Sequence, residues 1–350
     1  MKNCGMYWGR TLLFFAFISL LLVSCSAPDI APTMPIAPST STPVSLSPPL
    51  QPELDSSENS ESDFSEPATA APPPTMPPAA PATATEEVEP TLESEPTRFP
   101  LSINDMPAEQ FIIMSDETRK NISEIFANGQ TLGRNPQIFA ILGDSLIATP
   151  QSLAKWDGEE YVLGDYEFLQ PAIDHYTGSF GRYGVSVRVG LHSWSVFDPL
   201  WADKDFCLAN EDLLTCELRL NNPSVMIIFL GSNDAGFPDG FDFNYRKMIE
   251  ALIGQGVVPV LATKADRFEG SDNVNNEIIR KIAADFQVPL LEFDLLADTL
   301  PGRGLSSDNV HLTYLEPLDY TVPEMFTLGY PVHNLASLMI LDEVRREISD

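Results

Sequence analysis

Four residues of the chain have side chains whose types and order suit covalent catalysis. Ser145 lies in a Gly-Asp-Ser triplet directly after a short apolar run at 137–142, and Asn233 lies in a Gly-Ser-Asn-Asp segment directly after another such run. Asp308 and His311 follow near the end of the chain, three positions apart. Apolar runs of this length that end at glycine are typical of buried strands. Because functional loops follow the carboxyl ends of parallel strands, we expect the four side chains to meet at one sheet edge.

A serine, a histidine and an aspartate can together cleave an ester through a covalent intermediate. His311 can take the proton of the Ser145 hydroxyl, because imidazole titrates nearest to neutral pH. Asp308 can bring its carboxylate alongside the imidazole within one turn, which fixes the tautomer and stabilises the charged ring. Each residue also has a purely structural explanation. Asp144 or Ser145 could cap a helix, Asn233 and Asp308 could form turns, and His311 could be an exposed loop histidine.

The hydrophobic pattern along the second half of the chain predicts an α/β fold. Predicted strands lie at 137–142, 185–189, 225–230, 257–262 and 288–293. Predicted helices lie at 107–127, 244–254, 274–286 and 335–348, the first with Ile112, Ile113, Ile122, Ile125 and Phe126 as candidate buried residues. Strands that alternate with helices of ten to fifteen residues indicate a mainly parallel sheet with helices on both faces. The expected architecture is therefore a three-layer sandwich.

The polar segments after these strands resemble, in their order, the four blocks of SGNH/GDSL hydrolases. The blocks are Gly-Asp-Ser at 143–145, the lone glycine Gly190, Gly-x-Asn-Asp at 231–234 and Asp-x-x-His at 308–311. The resemblance covers nearly all of residues 137–345. It implies a flavodoxin-like fold with a mainly parallel five-stranded sheet. It also implies a serine esterase that needs no metal and no organic cofactor.

The resemblance assigns a role to each matching residue. Ser145 is expected to be the nucleophile, His311 the base and Asp308 the residue that orients it. The oxyanion hole is expected to consist of the backbone N–H groups of Ser145 and Gly190 and the side-chain amide of Asn233. Other glycines lie close to the second block, and Gly181 is the next choice after Gly190.

Two long segments, one between Ser145 and Gly190 and one at 191–223, depart from the compact family pattern. They are rich in aromatic residues, namely Trp156, Tyr161, Tyr166, Phe168, Tyr176, Phe180, Trp194, Phe197, Trp201 and Phe206. These side chains could stack on sugar rings, cover an acyl chain or simply belong to the core. His192 lies near the second block and could contact a substrate, whereas His333 is expected to be structural.

The same catalytic residues suit more than one function. An O-acyltransferase would use them with a sugar hydroxyl in place of water, and a non-catalytic ligand-binding envelope lipoprotein is a further alternative. The expected substrates are O-acylated polysaccharides, with lipid or small aryl esters next. Nucleic acid is excluded as a partner, because 20 Lys and Arg residues face 50 Asp and Glu residues at a formal net charge of -30.

The beginning of the chain predicts export and lipid anchoring. Lys2 and Arg10 precede an apolar stretch at 12–23, which is shorter than a membrane span usually requires. The segment 22–25, Leu-Val-Ser-Cys, resembles the lipobox of bacterial lipoproteins. Residues 1–24 are therefore predicted to be a signal peptide and Cys25 the lipidated residue, which places the protein outside the cytoplasm on the cell membrane.

The remaining segments complete the predicted organisation. Residues 25–100 contain 18 of the 31 prolines and are predicted to be a disordered linker, which leaves 101–350 as the hydrolase domain. Outside the cytoplasm, Cys207 and Cys216 could form a disulfide, with two buried free thiols as the alternative. No spacing of cysteine and histidine typical of a metal site is visible.

Overall fold

The computed structural model describes residues 101–158 and 160–349. The predicted signal peptide, the lipidation site Cys25 and the linker at 25–100 lie outside these residues. Within the described ranges, no helix has both the length and the apolar content needed to cross a membrane.

The centre of the fold is a five-stranded sheet. Its strands in chain order are β1 (Ile112–Ile113), β2 (Asn135–Gly143), β3 (Pro223–Phe229), β4 (Val258–Ala262) and β5 (Leu290–Leu291). Their order across the sheet is β1-β5-β4-β3-β2. The pairs β2/β3, β3/β4 and β4/β5 are parallel, and only the edge strand β1 is antiparallel. Two-residue strands form two smaller sheets, Ser102–Ile103 with Met106–Pro107 and Tyr161–Val162 with Leu318–Asp319.

Helices cover both faces of the sheet. The α-helices are α1 (Ala108–Phe111), α2 (Asp116–Thr131), α3 (Gln170–His175), α4 (Leu213–Asn221), α5 (Pro238–Gly254), α6 (Val274–Phe286), α7 (Phe293–Asp298) and α8 (Gly329–Ser349). Short 3-10 helices lie at Leu153–Asp157, Gly164–Leu169, Ser193–Phe197, Pro301–Gly304 and Pro323–Thr327. Side chains of α2 and α8 belong to one apolar core, and those of α4, α5 and α6 belong to a second.

The central strand β3 shows why the sheet has a core on each side. All of its residues are buried. Val225, Ile227 and Phe229 belong to the first core, whereas Met226 and Ile228 belong to the second. Successive side chains of a strand point to opposite faces, so an uninterrupted apolar run is what a strand covered on both faces requires. The predicted α/β class, with a mainly parallel five-stranded sheet between helical layers, is confirmed.

The predicted strand at 185–189 is wrong. Only one parallel bridge, between Gly143 and Val187, joins this segment to the sheet edge. The buried carboxylate of Glu217 instead accepts hydrogen bonds from the backbone N–H groups of Val185 and Ser186, at 2.7 and 3.3 Å. These donors are therefore taken by a side chain rather than by a neighbouring strand.

The predicted helix at 107–127 is also wrong in part, because it divides into α1, β1 and α2. The Ser115 hydroxyl accepts a hydrogen bond from the Thr118 N–H at 3.2 Å and so begins a new helix. Ile112 pairs with Leu291 as the fifth strand, and Ile113 is 42% exposed rather than buried.

Candidate active site

The segments 143–145 and 231–234, which carry Ser145 and Asn233, lie side by side at the carboxyl edge of the sheet. Gly143 at the end of β2 pairs in parallel register with Phe229 at the end of β3. The residues that follow are therefore neighbours, and the Asn233 side-chain amide donates a hydrogen bond to the Asp144 carboxylate at 3.1 Å. Ser145 is half-buried beside this contact.

The segment 308–311 forms the predicted Asp–His pair. Asp308 Oδ2 lies 2.7 Å from His311 Nδ1. The other oxygen, Oδ1, accepts hydrogen bonds from the backbone N–H groups of Val310 and His311 and from the Ser306 hydroxyl, at 2.9, 3.0 and 2.7 Å. The hydrogen bond with His311, together with these three donors, holds the pKa of Asp308 well below its usual range. The carboxylate stays ionised and orients the ring, which leaves Nε2 free for proton transfer.

Tyr330 connects the serine loop with the histidine loop. Its hydroxyl donates to the Leu146 carbonyl at 2.8 Å, and its backbone N–H donates to the Thr313 carbonyl at 2.8 Å. Within residues 101–158 and 160–349, however, Ser145 Oγ makes no hydrogen bond to His311. Proton transfer thus requires the two side chains to approach each other, as is common before substrate binds.

Gly190 suits the second block better than Gly181 does. The Gly181 N–H is already bonded to the Asp157 carboxylate at 2.6 Å. Gly190 has a φ of +74°, in the left-handed region that favours glycine. It directly precedes Leu191, whose carbonyl accepts a hydrogen bond from Asn233 Nδ2 at 3.1 Å. The lone glycine is therefore adjacent to the amide expected to act with it.

Both hydrogens of the Asn233 amide are engaged inside the protein, one by Asp144 and one by the Leu191 carbonyl. An oxyanion would have to replace or share one of these acceptors. The Leu191 carbonyl is the weaker competitor, because a carboxylate accepts a stronger hydrogen bond than a neutral carbonyl does.

Asp144 is a functional candidate that the sequence indicates only as part of a motif. Its side chain is buried, and burial raises its pKa to about 6 against the opposing hydrogen bond from the Leu146 N–H at 3.0 Å. A carboxylate has only acceptors, so it can face only the NH₂ end of the Asn233 amide. Asp144 thereby determines which end of the amide is presented to the site.

Asp234 holds the loop after Gly190 in place by hydrogen bonds. Its buried carboxylate accepts hydrogen bonds from the backbone N–H of Ser193, at 3.0 and 3.2 Å, and from the Ser193 hydroxyl at 2.8 Å. His192 Nδ1 lies 3.9 Å from the same carboxylate. The second and third segments are thus tied together by Asp234 as well as by Asn233.

A buried charged cluster supports the segment 231–234. It consists of Lys264, Asp266 and Glu269, with Lys264 Nζ 2.9 Å from Asp266 Oδ1 and 2.7 Å from Glu269 Oε2. Asp266 accepts a hydrogen bond from the Ser232 hydroxyl at 2.6 Å. Asn275 Nδ2, close to the same cluster, donates to the Gly231 carbonyl at 2.9 Å. Both residues before Asn233 are therefore held by groups beyond β4, which no local sequence pattern indicates.

The other predicted residues lie elsewhere. His333 is buried between the rings of Phe229 and Phe293, each 4.8 Å away, and burial lowers its pKa to about 3. A disulfide of 2.07 Å joins Cys207 to Cys216. Its sulfurs lie close to the Glu211 carboxylate, but sulfurs bonded to each other are not thiolate ligands, and Glu211 is paired with Arg219.

The aromatic residues of the two long segments have different positions. Trp156, Tyr176 and Phe180 are buried core residues, with exposed fractions of 1% or less. Trp194 and Phe206 are exposed at 46% and 63%.

Comparisons with known proteins find similar solved structures. No protein-family model matches the chain, and no curated protein matches it. The acetyl xylan esterase AlAXEase is 19% identical, over 58% of this chain and 97% of its own, with a TM-score of 0.35. The psychrotrophic esterase EstA from Pseudoalteromonas sp. is 15% identical, over 61% and 100%, with a TM-score of 0.38. A two-domain esterase, CEX, active on acetylated mannans is 13% identical, over 68% and 56%, with a TM-score of 0.41. Identities are low, so the roles of the residues rest on the geometry described above.

Proposed function

We propose that the protein is a serine esterase that removes O-acyl groups from carbohydrate through an acyl-enzyme on Ser145. The observation that carries the proposal is the Asp308–His311 hydrogen bond of 2.7 Å, in a loop that Tyr330 joins by hydrogen bonds to the loop in which Ser145 follows β2. A carboxylate-oriented imidazole beside a serine is the arrangement that activates a hydroxyl as a nucleophile.

The proposed reaction has two matching halves. His311 Nε2 takes the proton of Ser145 Oγ as the oxygen attacks the ester carbonyl carbon. The negative charge that develops on the carbonyl oxygen is stabilised by the N–H groups of Ser145 and Gly190 and the Asn233 amide. The intermediate collapses to the acyl-serine, and the departing alcohol oxygen takes the proton from His311. Water then repeats the sequence and releases the carboxylic acid.

The openness of the site supports a bulky alcohol and a small acyl group. The side chains of His311 and Asp308 are 41% and 50% exposed. A polymer can approach such a site along its surface, whereas a long acyl chain gains most from an enclosed apolar channel. A polysaccharide bearing small esters fits these requirements better than a lipid does.

The location is proposed with the function. Export through residues 1–24 and lipidation of Cys25 would place the esterase on the outer side of a membrane, where polysaccharide is accessible. In cells fed radioactive palmitate, Cys25→Ala should remove the label from the protein. Equal labelling of both forms would refute the anchor but leave the esterase proposal intact.

The activity is tested with the purified protein, an aryl acetate and an acetylated neutral polysaccharide. Ser145→Ala should lower turnover of both substrates at least about a thousandfold. Ser271→Ala, which alters an exposed loop serine, is the matched control and should have no effect. Turnover retained by Ser145→Ala would refute the proposal, and acetylation of added unacetylated glycan would show an acyltransferase instead.

A further inference from the structure

An exposed indole lies in the loop that follows Gly190, a proposed oxyanion donor. Trp194 exposes 46% of its surface, although other rings contact it on two sides. The His192 ring stacks against it at 5.9 Å and 27°, and the Trp201 ring meets it edge-on at 5.9 Å and 87°. One part of the indole is therefore fixed by neighbours while the other faces solvent.

The backbone that carries Trp194 is held firmly on both sides of it. On one side, Ser193 donates through its N–H and its hydroxyl to the buried Asp234. On the other, the buried Ser195 hydroxyl accepts from the His192 N–H at 3.1 Å and donates to the His192 carbonyl at 2.7 Å. With its backbone held in this way and two rings packed against the indole, Trp194 loses little conformational entropy when a ligand binds.

The same contacts connect the loop of Trp194 to the proposed oxyanion donor Asn233. Its neighbour Ser193 is bonded to Asp234, and Leu191 is bonded to Asn233, which is adjacent to Asp234 in the chain. The segment from Gly190 to Trp194 thus leads from one proposed oxyanion donor directly to the indole. A group bound on this ring would adjoin the ester held in the hole.

The chemistry of the surface suits a sugar ring. One face of a pyranose consists of C–H groups that pack against an aromatic ring, and its hydroxyls need polar partners at the edge. His192, with 36% of its side chain exposed, supplies such a partner next to the indole. The formal net charge of -30 disfavours polysaccharides rich in carboxylates, so a neutral glycan is the better ligand.

We propose that Trp194, with His192 at its edge, binds a sugar ring of a neutral O-acylated polysaccharide and presents the neighbouring ester to Ser145. This inference rests on the proposed esterase function and adds the residue that selects the substrate. The small acyl group would contact the hole, and the polymer would contact the indole.

The test compares a substrate that reaches Trp194 with one that does not. Trp194→Ala and Trp194→Phe are assayed on acetylated glucomannan and on 4-nitrophenyl acetate. Trp194→Ala should raise KM for the polysaccharide by roughly three- to tenfold, the range expected for one aromatic contact, and change kcat/KM for the aryl ester less than about twofold. Trp194→Phe should restore most of the loss, because it keeps a flat ring. Phe243→Ala, which removes an aromatic side chain that is 69% exposed on α5, is the matched control and should change neither substrate.

The outcomes separate this inference from the function on which it depends. If wild type hydrolyses both substrates and Trp194→Ala leaves the polysaccharide KM unchanged, the sugar site is refuted and the esterase stands. Equal loss on both substrates in the Ala and Phe variants also refutes it, because the residue would then support the site as a whole. If wild type hydrolyses neither substrate, the proposed function fails first. Faster turnover of acetylated polygalacturonate than of glucomannan would overturn the preference for a neutral chain.

Discussion

The Asp144 carboxylate and the Asn233 amide, 89 positions apart in the chain, are joined by a hydrogen bond of 3.1 Å. The residue before the proposed nucleophile thus orients a proposed oxyanion donor. The ends of β2 and β3 are adjacent in the sheet, and this contact extends that adjacency into the site.

Replacement of Asp144 by Asn tests this orientation. An amide at 144 can present its own NH₂ group to Asn233 and turn the Asn233 oxygen toward the hole. We expect kcat to fall by roughly one to two orders of magnitude with little change in KM, as for loss of an oxyanion donor. Steady-state kinetics on an aryl acetate measure both values, and unchanged kcat would contradict the role.

The same substitution should not reduce stability at alkaline pH. Burial raises the folded-state pKa of Asp144 to about 6, so its stabilising contribution is present in the protonated form and is lost as pH rises through 6. At pH 8 the buried charge costs up to about 3 kcal/mol, which an amide avoids. Thermal unfolding at pH 5 and pH 8 gives the difference in stability between Asp144→Asn and wild type. This difference should be more favourable to the variant at pH 8 than at pH 5. A variant that loses as much stability at pH 8 as at pH 5 would contradict the assignment.

His311, Asp308 and Asn233 should make distinct and non-additive contributions to catalysis. Loss of the base in His311→Ala should lower kcat about a thousandfold or more, whereas Asp308→Asn should lower kcat and leave substrate binding nearly unchanged. Asn233→Ala removes one oxyanion donor, which costs on the order of 3 kcal/mol in the transition state and little in the ground state. The measurement is kcat and KM for each single variant and for the His311/Asp308 double variant. Strictly additive losses would argue against one catalytic unit.

The charged cluster of Lys264, Asp266 and Glu269 should affect both the stability of the fold and the turnover. Lys264→Met leaves the buried carboxylates of Asp266 and Glu269 without their cation, which should cost about 3–5 kcal/mol in the free energy of unfolding. Urea denaturation measures this cost. Lys281→Met, in an exposed pair with Asp285, is the matched control and should cost less than about 1 kcal/mol.

Ser232 allows the positioning effect of the cluster to be measured without that loss of stability. Ser232→Ala removes only the hydrogen bond to Asp266 and should lower kcat several-fold, with little change in KM. Ser232→Thr, which keeps the hydroxyl, should recover most of the rate. A change in KM alone would mean that Ser232 does not act through Asn233.

The lowered pKa of His333 predicts how the free energy of unfolding depends on pH. Its folded-state pKa of about 3 lies below the ordinary value of 6.5, so the neutral ring stabilises the fold above pH 6.5. That contribution is lost as pH falls from 6.5 toward 3, by about 1.4 kcal/mol per pH unit, because only the unfolded chain binds the proton. The free energy of unfolding at pH 6.5 and pH 5 should depend less on pH in His333→Leu than in wild type, while the esterase activity of the folded variant remains. An unchanged slope would contradict this role of His333.

Much of the fold follows from local sequence pattern. The run 225–230 is apolar throughout because β3 has a core on both faces, and the segment that follows it carries Asn233. The 185–189 segment looks equally apolar in part, yet Glu217 takes its backbone donors from about thirty positions away. No local pattern indicates that contact, so the strand prediction is wrong there.

The candidate site, too, could be predicted only in part from the sequence. The types and spacing of Ser145, Asp308 and His311 indicate chemistry from the sequence alone, because a serine after an apolar strand and a later Asp-x-x-His segment supply a nucleophile, an acid and a base. Asp144 and Asp234 are visible as acids next to those residues. Their hydrogen-bond partners are Asn233 and Ser193, and these pairings become identifiable only when the loops are brought together in space.

The proposed mechanism is tested most directly by identifying the residue that acts as the nucleophile. The purified protein is treated with a fluorophosphonate and digested, and the labelled peptide is sequenced by mass spectrometry. We predict one modification, on Ser145, which Ser145→Ala abolishes and which His311→Ala slows by orders of magnitude. A label on a different serine, or equal labelling of wild type and Ser145→Ala, would contradict the mechanism.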